Sequence, residues 1–284
     1  MDLKSDIREF LTSRRARISP EDVQLPIYRG RRRVPGLRRE EVALLAGISV
    51  EYYTRLERGN VEGVSQDVIE AVARALNLDE AERAHLFNLI RTASLTGPAA
   101  ARRRPGQERV RPTVQQIIDL IDAPAYVRNG RLDILAANAL GRALYAPLFE
   151  VYGAAIPNLA RFIFLDHGAT ELFPNWSQIA NDAVGILRAH AGNFPYDRRL
   201  SDLVGELSTR SAEFRVMWAA QNVKFHRSGT KQLLHPVVGP LTLSFEAFDL
   251  AGDEGLRVNV YIAEPNSRSE DGLKLLGSWA ATTA

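Results

Sequence analysis

The stretch that decides the fold of the N-terminal part covers residues 37–59 and reads LRREEVALLAGISVEYYTRLERG. Its apolar residues recur at the spacing of two short helices, one over residues 37–46 and one over residues 49–58. Gly47 can adopt the left-handed conformation that ends a helix, and Ser49 can cap the helix that follows. The stretch therefore predicts two helices joined by a tight turn.

Three further helices are predicted around this pair. Residues 2–17 carry apolar side chains at spacings of three and four, which is typical of an amphipathic helix. Another helix is expected to start at Ser65, and another at Asp79, where Glu82 can reach back to complete a capping box. Five short helices predict a compact all-α domain.

Residues 37–59 closely resemble the helix-turn-helix of the XRE (lambda-repressor-like) family. Helical geometry places four side chains on the exposed face that enters the major groove of DNA: Val50, Glu51, Thr54 and Arg55. The resemblance implies that Ser49, Thr54 and Arg55 contact phosphates or base edges, and that Val50 and Glu51 lie at base-reading positions. It also implies that Arg39 caps the second helix against the backbone, and we include Arg39 among the DNA-binding candidates. The alternative is a five-helix bundle that binds protein rather than DNA.

An arginine-rich loop lies between the first and second helices, with six arginines in residues 29–39. We expect Arg31, Arg32 and Arg33 to clamp DNA phosphates or to enter the minor groove as an arm. The alternative is a solvated basic loop.

Charge is distributed unevenly along the chain. Residues 1–111 carry 21 Lys and Arg against 16 Asp and Glu, whereas the remaining residues carry 15 against 18. A basic N-terminal part next to a mildly acidic remainder indicates nucleic acid as a partner at one end only.

Composition excludes several kinds of chemistry. The chain has no cysteine, which rules out disulfides, thiolate metal sites and cysteine nucleophiles. No apolar run approaches the roughly 18 residues of a membrane span, and the first residues begin no signal sequence. We expect a cytoplasmic protein with no membrane contact.

A segment rich in Pro, Gly, Ala and Arg, residues 96–112, divides the chain. We predict a helix-turn-helix domain over residues 1–95, a linker over 96–112 and a second domain over 113–284.

The second domain is predicted to be α+β with an antiparallel sheet. Asn129-Gly130 predicts a two-residue type I′ turn between two early strands, and Asn138 can cap a helix after them. Helices dominate residues 156–222, and alternating apolar residues predict late strands with which the chain ends. This order resembles that of a PAS-type sensor domain.

Five segments resemble the ligand-binding domain of MmyB-like transcription regulators: NLARFIFLD (158–166), LFPNW (172–176), VGELS (204–208), RSGTK (227–231) and HPVVG (235–239). The resemblance implies a bacterial repressor or activator whose PAS-like domain holds a small apolar ligand, with fatty acids as the expected class. The sequence departs from the family pattern at Ala137, where Trp is common, and at Gln221 and Asn222, where His and an acid are common.

Candidate ligand-binding residues follow from this expectation. A fatty acid carboxylate needs cations or other donors, which Arg161, Arg215, Arg227 or His235 can provide. Asn138 and the aromatic side chains of Trp176 and Trp218 are further candidates. Ordinary core or surface roles are the alternative for each of these residues.

The sequence carries no sign of catalysis. The five histidines lack metal-ligand spacing, and there is no Walker-type glycine loop or nucleophile elbow. We expect no enzyme, no metal and no required cofactor, although the protein can hold a bound fatty acid or similar lipid. The expected partners are a double-stranded DNA operator, a small apolar ligand and a second copy of the chain in a homodimer. The alternatives are a second domain that serves as a ligand-free dimerisation or protein-docking module, and an enzyme tethered to DNA.

Overall fold

The computed structural model of the chain describes residues 3–23, 36–94, 109–221, 228–253 and 255–283. Contacts divide the chain into two compact units. The first comprises Met1–Arg104, Ala191–Asp197 and Ala219–Lys224, and the second comprises Pro105–His190, Arg198–Trp218 and Phe225–Ala284. None of the helices in the described ranges is long and apolar enough to cross a membrane.

The N-terminal residues of the first unit are helical, as predicted. The elements are α1 (Leu3–Arg17), a 3₁₀ helix (Pro20–Val23), α2 (Arg39–Ala46), α3 (Val50–Glu57), α4 (Gln66–Ala75) and α5 (Glu80–Ser94). The predicted caps are present: the Ser65 hydroxyl accepts the Val68 N–H, and Asp79 accepts the Glu82 N–H at 2.8 Å while Glu82 accepts the Asp79 N–H. These caps satisfy backbone donors that a helix start leaves unpaired, and so they fix where the helices begin.

The second unit contains a five-stranded antiparallel sheet with helices, which confirms the predicted α+β class. Its elements in chain order are α6 (Pro112–Asp119), β1 (Ala125–Arg128), β2 (Ile134–Ala137), α7 (Ala139–Leu144), α8 (Ala146–Tyr152), α9 (Leu159–Leu165), α10 (Gly168–Leu172), α11 (Trp176–Asn193), α12 (Arg198–Arg210), α13 (Ala212–Ala219), β3 (Ser228–His235), β4 (Gly239–Asp249), β5 (Arg257–Ala263) and α14 (Arg268–Thr283). The last three residues of α11 and the last of α13 fall in the first unit.

The strand order is β2-β1-β5-β4-β3, so the two early strands lie beside the last one. Successive side chains of a strand point to opposite faces of the sheet. On one face, Val127 and Val258 pack with Val114 and Ile118 of α6 in a buried cluster. The opposite face carries Tyr126, which pairs in register with Asn259 of β5. The two faces of β1 therefore serve a hydrophobic core and a polar cavity wall.

Two local predictions were wrong. The connection between β1 and β2 is a five-residue loop rather than a type I′ turn, because the Asn129 side chain accepts the N–H groups of Arg131 and Asp133 and holds the loop open. Leu132, rather than Gly130, takes the positive φ, at 67°. The chain also does not finish with strands, since α14 follows β5 and packs its Gly272 closely against Leu241 of β4.

Candidate nucleic-acid interface and ligand cavity

The turn between α2 and α3 has the predicted geometry. Gly47 is left-handed, with φ 66°, and ends α2. The Ser49 hydroxyl accepts the Tyr52 N–H at 3.0 Å and so caps α3. A left-handed residue followed directly by a capped helix fixes the direction in which α3 leaves the turn.

The exposed face of α3 brings the base-reading candidates together. A shallow groove of about 340 Å³ is lined by Val50, Glu51, Thr54, Arg55, Arg58 and Asn60. Val50, Glu51 and Arg55 are exposed, and Thr54 is half-buried. The Arg55 guanidinium lies 4.9 Å from the centre of the Tyr52 ring, which favours one orientation of a long side chain.

Arg39 pairs with Glu57 instead of capping α2, so the expected cap is corrected, whereas its expected DNA contact stays a prediction. The Arg39 Nε donates to the Glu57 carboxylate, and Glu41 provides the cap by accepting the Arg38 N–H at 2.6 Å. Glu57 is only 1% exposed and also accepts from the Arg15 Nε at 2.8 Å. One buried carboxylate therefore links α1, α2 and α3.

Sequence reasoning missed Glu57. Its signal is present, because Glu57 follows Tyr53 by four residues and thus lies on the inward face of the third helix. An acidic residue on an inward face requires cations nearby. Arg31, Arg32 and Arg33 lie outside the described residues, and their expected phosphate contacts stay a prediction.

The second unit encloses a small cavity between its sheet and two helices. The lining residues are Tyr126, Arg128, Leu132, Leu159, Ile163, Ile179, Asp182, Ala183, Ile186, Lys231 and Asn259. Its volume is about 20 Å³, enough for about one water molecule. The sheet contributes polar side chains, whereas α9 and α11 contribute mostly aliphatic ones, so the cavity is amphipathic.

Lys231 and three tyrosines form a hydrogen-bonded cluster at the sheet wall. The Lys231 Nζ donates to the hydroxyls of Tyr145 and Tyr261 at 3.4 and 3.3 Å. The Tyr261 hydroxyl also lies 2.9 Å from that of Tyr145 and 3.2 Å from that of Tyr126. Burial raises the pKa of Tyr145 and Tyr261, so both hydroxyls stay protonated near neutral pH.

Burial also disfavours the charges of the two cations in this wall. It lowers the pKa of Lys231 to about 8, against the attraction of Asp182, and Arg128 lowers that pKa further. Burial likewise lowers the pKa of Arg128. Arg128 is 3% exposed and Lys231 5%, so neither charge is solvated by bulk water.

None of the ligand-binding candidates that fall in the described residues lines this cavity. Arg227 is outside the described residues. Six others do not line the cavity: Asn138, Arg161, Trp176, Arg215, Trp218 and His235.

Asn138 is the cap of α7, as predicted, and its amide is used fully by the backbone. Its Oδ1 accepts the N–H groups of Ala125 and Gly141, and its Nδ2 donates to three carbonyls between Ile118 and Ala123. An amide so occupied has no polar atom left for a ligand. Asn138 therefore holds α6, β1 and α7 together.

The charged candidates have partners within the fold. The Arg161 Nε donates to Glu206 at 2.7 Å, and Arg215 donates to the Ser208 carbonyl at 2.8 Å. The buried His235 ring lies 3.0 Å from the Ala143 carbonyl, and burial lowers its pKa. These contacts explain the three side chains without a ligand.

Both tryptophans are packing residues of the helices. The Trp176 Nε1 donates to the Ile163 carbonyl at 2.8 Å. Trp218 stacks on Phe214, and the Arg188 guanidinium lies 4.0 Å from the Trp218 ring centre. Both tryptophans therefore have packing roles, and neither lines the cavity.

The cavity residues that sequence analysis missed are Arg128 and Lys231. Both stand at inward positions of strands, Arg128 two residues after Tyr126 and Lys231 two residues before Leu233. A lone charged residue in the inward register of a strand is the signal that was available. It was not decisive, because strand order was unknown.

Comparisons with known proteins match the two parts of the chain to two families. Residues 14–86 match a helix-turn-helix domain, and residues 110–276 match the ligand-binding domain of MmyB-like transcription regulators. The sequence has no match among curated proteins. The first match contains α3, and the second contains all the residues that line the cavity and covers more than half of the chain. The protein therefore belongs to the MmyB-like transcription regulators, with a DNA-binding helix-turn-helix domain followed by a small-molecule-binding domain.

Proposed function

We propose that the protein is a bacterial regulator that binds a palindromic operator as a homodimer and whose operator affinity is modulated by a small apolar ligand. A long-chain fatty acid is the expected ligand class. The exposed face of α3 carries the DNA-binding half of this proposal, and the amphipathic cavity supports the ligand half.

The side chains on α3 offer a mixed set of base contacts. Arg55 can form a forked pair of hydrogen bonds with guanine, Glu51 can accept from a cytosine amine, and Val50 can contact a thymine methyl. The buried Glu57 pairs hold α3 against α1 and α2, so this face is presented by a rigid scaffold.

The cavity supports an amphipathic ligand but requires movement to admit a long one. About 20 Å³ does not hold an acyl chain. Burial of about a dozen methylenes contributes on the order of 10 kcal/mol before ordering costs. We expect the ligand to bind a conformation in which α9 and α11 lie farther from the sheet. The free energy of burying the acyl chain then shifts the population toward this open conformation.

Selection from a pool of random double-stranded DNA tests the DNA half. We expect the wild-type protein to enrich one palindrome. Arg55→Ala should weaken the free energy of binding to that palindrome by about 1–3 kcal/mol and relax the base preference at one position per half-site. Arg91→Ala, an exposed arginine on α5, is the control and should keep the wild-type preference. Failure of the wild type to enrich any sequence would contradict the proposal.

Organic extraction of the purified protein followed by mass spectrometry tests the ligand half. We expect a fatty acid in near-stoichiometric amount, and we expect its removal to change operator affinity by about 5- to 150-fold. A clean extract, together with unchanged operator affinity when fatty acids are added, would instead favour a dimerisation or docking module.

A further inference from the structure

The charges that line the cavity do not balance. Two cations, Arg128 and Lys231, face one acid, Asp182. All three residues are at most 5% exposed. A buried charge without a counter-charge is costly, so the excess of positive charge among the lining residues favours an anionic group, and Asp249 is a further acid that attracts Arg128.

The hydrogen-bonding capacity of the wall is also incompletely used. Within the described part of the chain, the Arg128 Nη2 has no hydrogen-bond partner, and its Nη1 donates to the Asn129 carbonyl at 3.3 Å. The Asn259 Oδ1, on a residue 2% exposed, likewise has no partner. Both residues line the cavity, so residues with unsatisfied polar atoms belong to its wall.

Lys231 adds donors that are only weakly engaged. Its two hydrogen bonds, to Tyr145 and Tyr261, are 3.3 Å or longer, whereas a charge-assisted bond to a carboxylate is about 2.7–2.9 Å. The Nζ also lies 5.6 Å from the ring centres of Phe245 and Tyr261. The ammonium is held in place by aromatic neighbours while a stronger acceptor is lacking among these contacts.

We propose that Arg128 and Lys231 bind the carboxylate of the ligand, which makes the cavity selective for an organic monoanion with an apolar tail. The carboxylate lies against the sheet wall, and the tail extends between α9 and α11 along Ile163, Ile179 and Ile186. The inference rests on the proposed function, because it requires that a ligand enters this cavity.

Calorimetric titration of the delipidated full-length protein with dodecanoate and dodecanol tests the inference. The two probes share a chain length and differ in charge. We expect dodecanoate to bind at least about tenfold more tightly than dodecanol, since hydrogen bonds to charged groups are the strong ones. Equal affinities would overturn the inference while the lipid ligand stands.

Lys231→Met removes the charge and keeps the aliphatic stem. We expect it to raise the Kd of dodecanoate about tenfold or more and to leave that of dodecanol within about twofold. Arg128→Lys keeps a positive charge but loses the forked pair of donors of a guanidinium, so we expect its Kd for dodecanoate to lie between those of wild type and Lys231→Met. Arg161→Met is the matched control, because Arg161 pairs with Glu206 outside the cavity, and its affinities should equal those of wild type. An unchanged preference for the acid in Lys231→Met would overturn the inference.

Benzoate, a small organic anion, tests the anion site independently of whether the ligand is a lipid. If neither long-chain probe binds, the proposed ligand class fails, and thermal unfolding with added benzoate then decides. A rise in Tm in wild type that Lys231→Met lacks would keep the anion site without a lipid. Equal behaviour of the two proteins would overturn the anion site as well.

Discussion

Glu57→Gln is expected to destabilise the DNA-binding unit selectively. The carboxylate is 1% exposed and accepts from Arg15 at 2.8 Å and from Arg39. Glutamine preserves shape and one acceptor oxygen but removes the charge, so two arginines near each other lose their shared counter-ion. The free energy of unfolding of this unit should fall for that reason.

The size of the effect follows from the exposure of the partners. Breaking a buried ion pair costs about 3–5 kcal/mol. The Arg15 side chain is 12% exposed, but that of Arg39 is 46% exposed and is partly solvated. We therefore expect the lower end, about 3 kcal/mol. For a urea dependence of about 2 kcal/mol per molar, the unfolding midpoint falls by about 1.5 M.

Two probes distinguish the units in one urea titration. The three tryptophans, at positions 176, 218 and 279, all belong to the second unit, whereas far-ultraviolet circular dichroism reports helices of both units. We expect the part of the dichroism transition that comes from the first unit to shift to lower urea and the tryptophan transition to stay. Glu51→Gln, an exposed glutamate of the same helix, is the control, with an expected change within about 0.5 kcal/mol. Equal shifts for Glu57→Gln and Glu51→Gln would refute the argument.

Three further predictions concern Lys231, Gly47 and the pair of Gly130 and Gly205. The pKa of Lys231 is lowered to about 8 in the folded protein, so the unfolded chain binds more protons above pH 8. The free energy of unfolding should therefore rise by about 2 kcal/mol from pH 7 to 9.5, as measured by tryptophan fluorescence in urea. Lys231→Met should lack this rise. Gly47→Ala meets no neighbour within 4 Å but must adopt φ 66°, so we expect a loss of about 1 kcal/mol in the dichroism transition, and Gly47→Asn should lose less. Gly130→Ala places a methyl 2.1 Å from the His190 Nδ1 and should lower the free energy of unfolding by about 1–3 kcal/mol. Gly205→Ala, on the open side of α12, should raise it by about 0.5–1 kcal/mol. The reverse order of the urea midpoints would contradict the packing.

Local sequence patterns determined most of the secondary structure and the DNA-binding face. The caps at Ser49, Ser65 and Asp79 and the turn at Gly47 depend on residues within four positions of each other, so they can be predicted without knowing the tertiary fold. The exposed side of α3 follows from helical periodicity in the same way. The loop at Asn129 shows the limit, because Asn158, which is distant in sequence, donates to the Arg131 carbonyl and to the Asp133 carboxylate, and no local pattern indicates these contacts.

Only the tertiary structure revealed the cavity and the buried carboxylate. Arg128 and Lys231 are about a hundred residues apart in sequence, and they line one cavity because β5 pairs with both β1 and β4, and β4 with β3. Glu57 meets Arg15 only when α1 and α3 pack. A charged side chain in a strand or helix pattern has no assigned partner until distant elements are brought together, because burial and electrostatic attraction act through space and not along the chain.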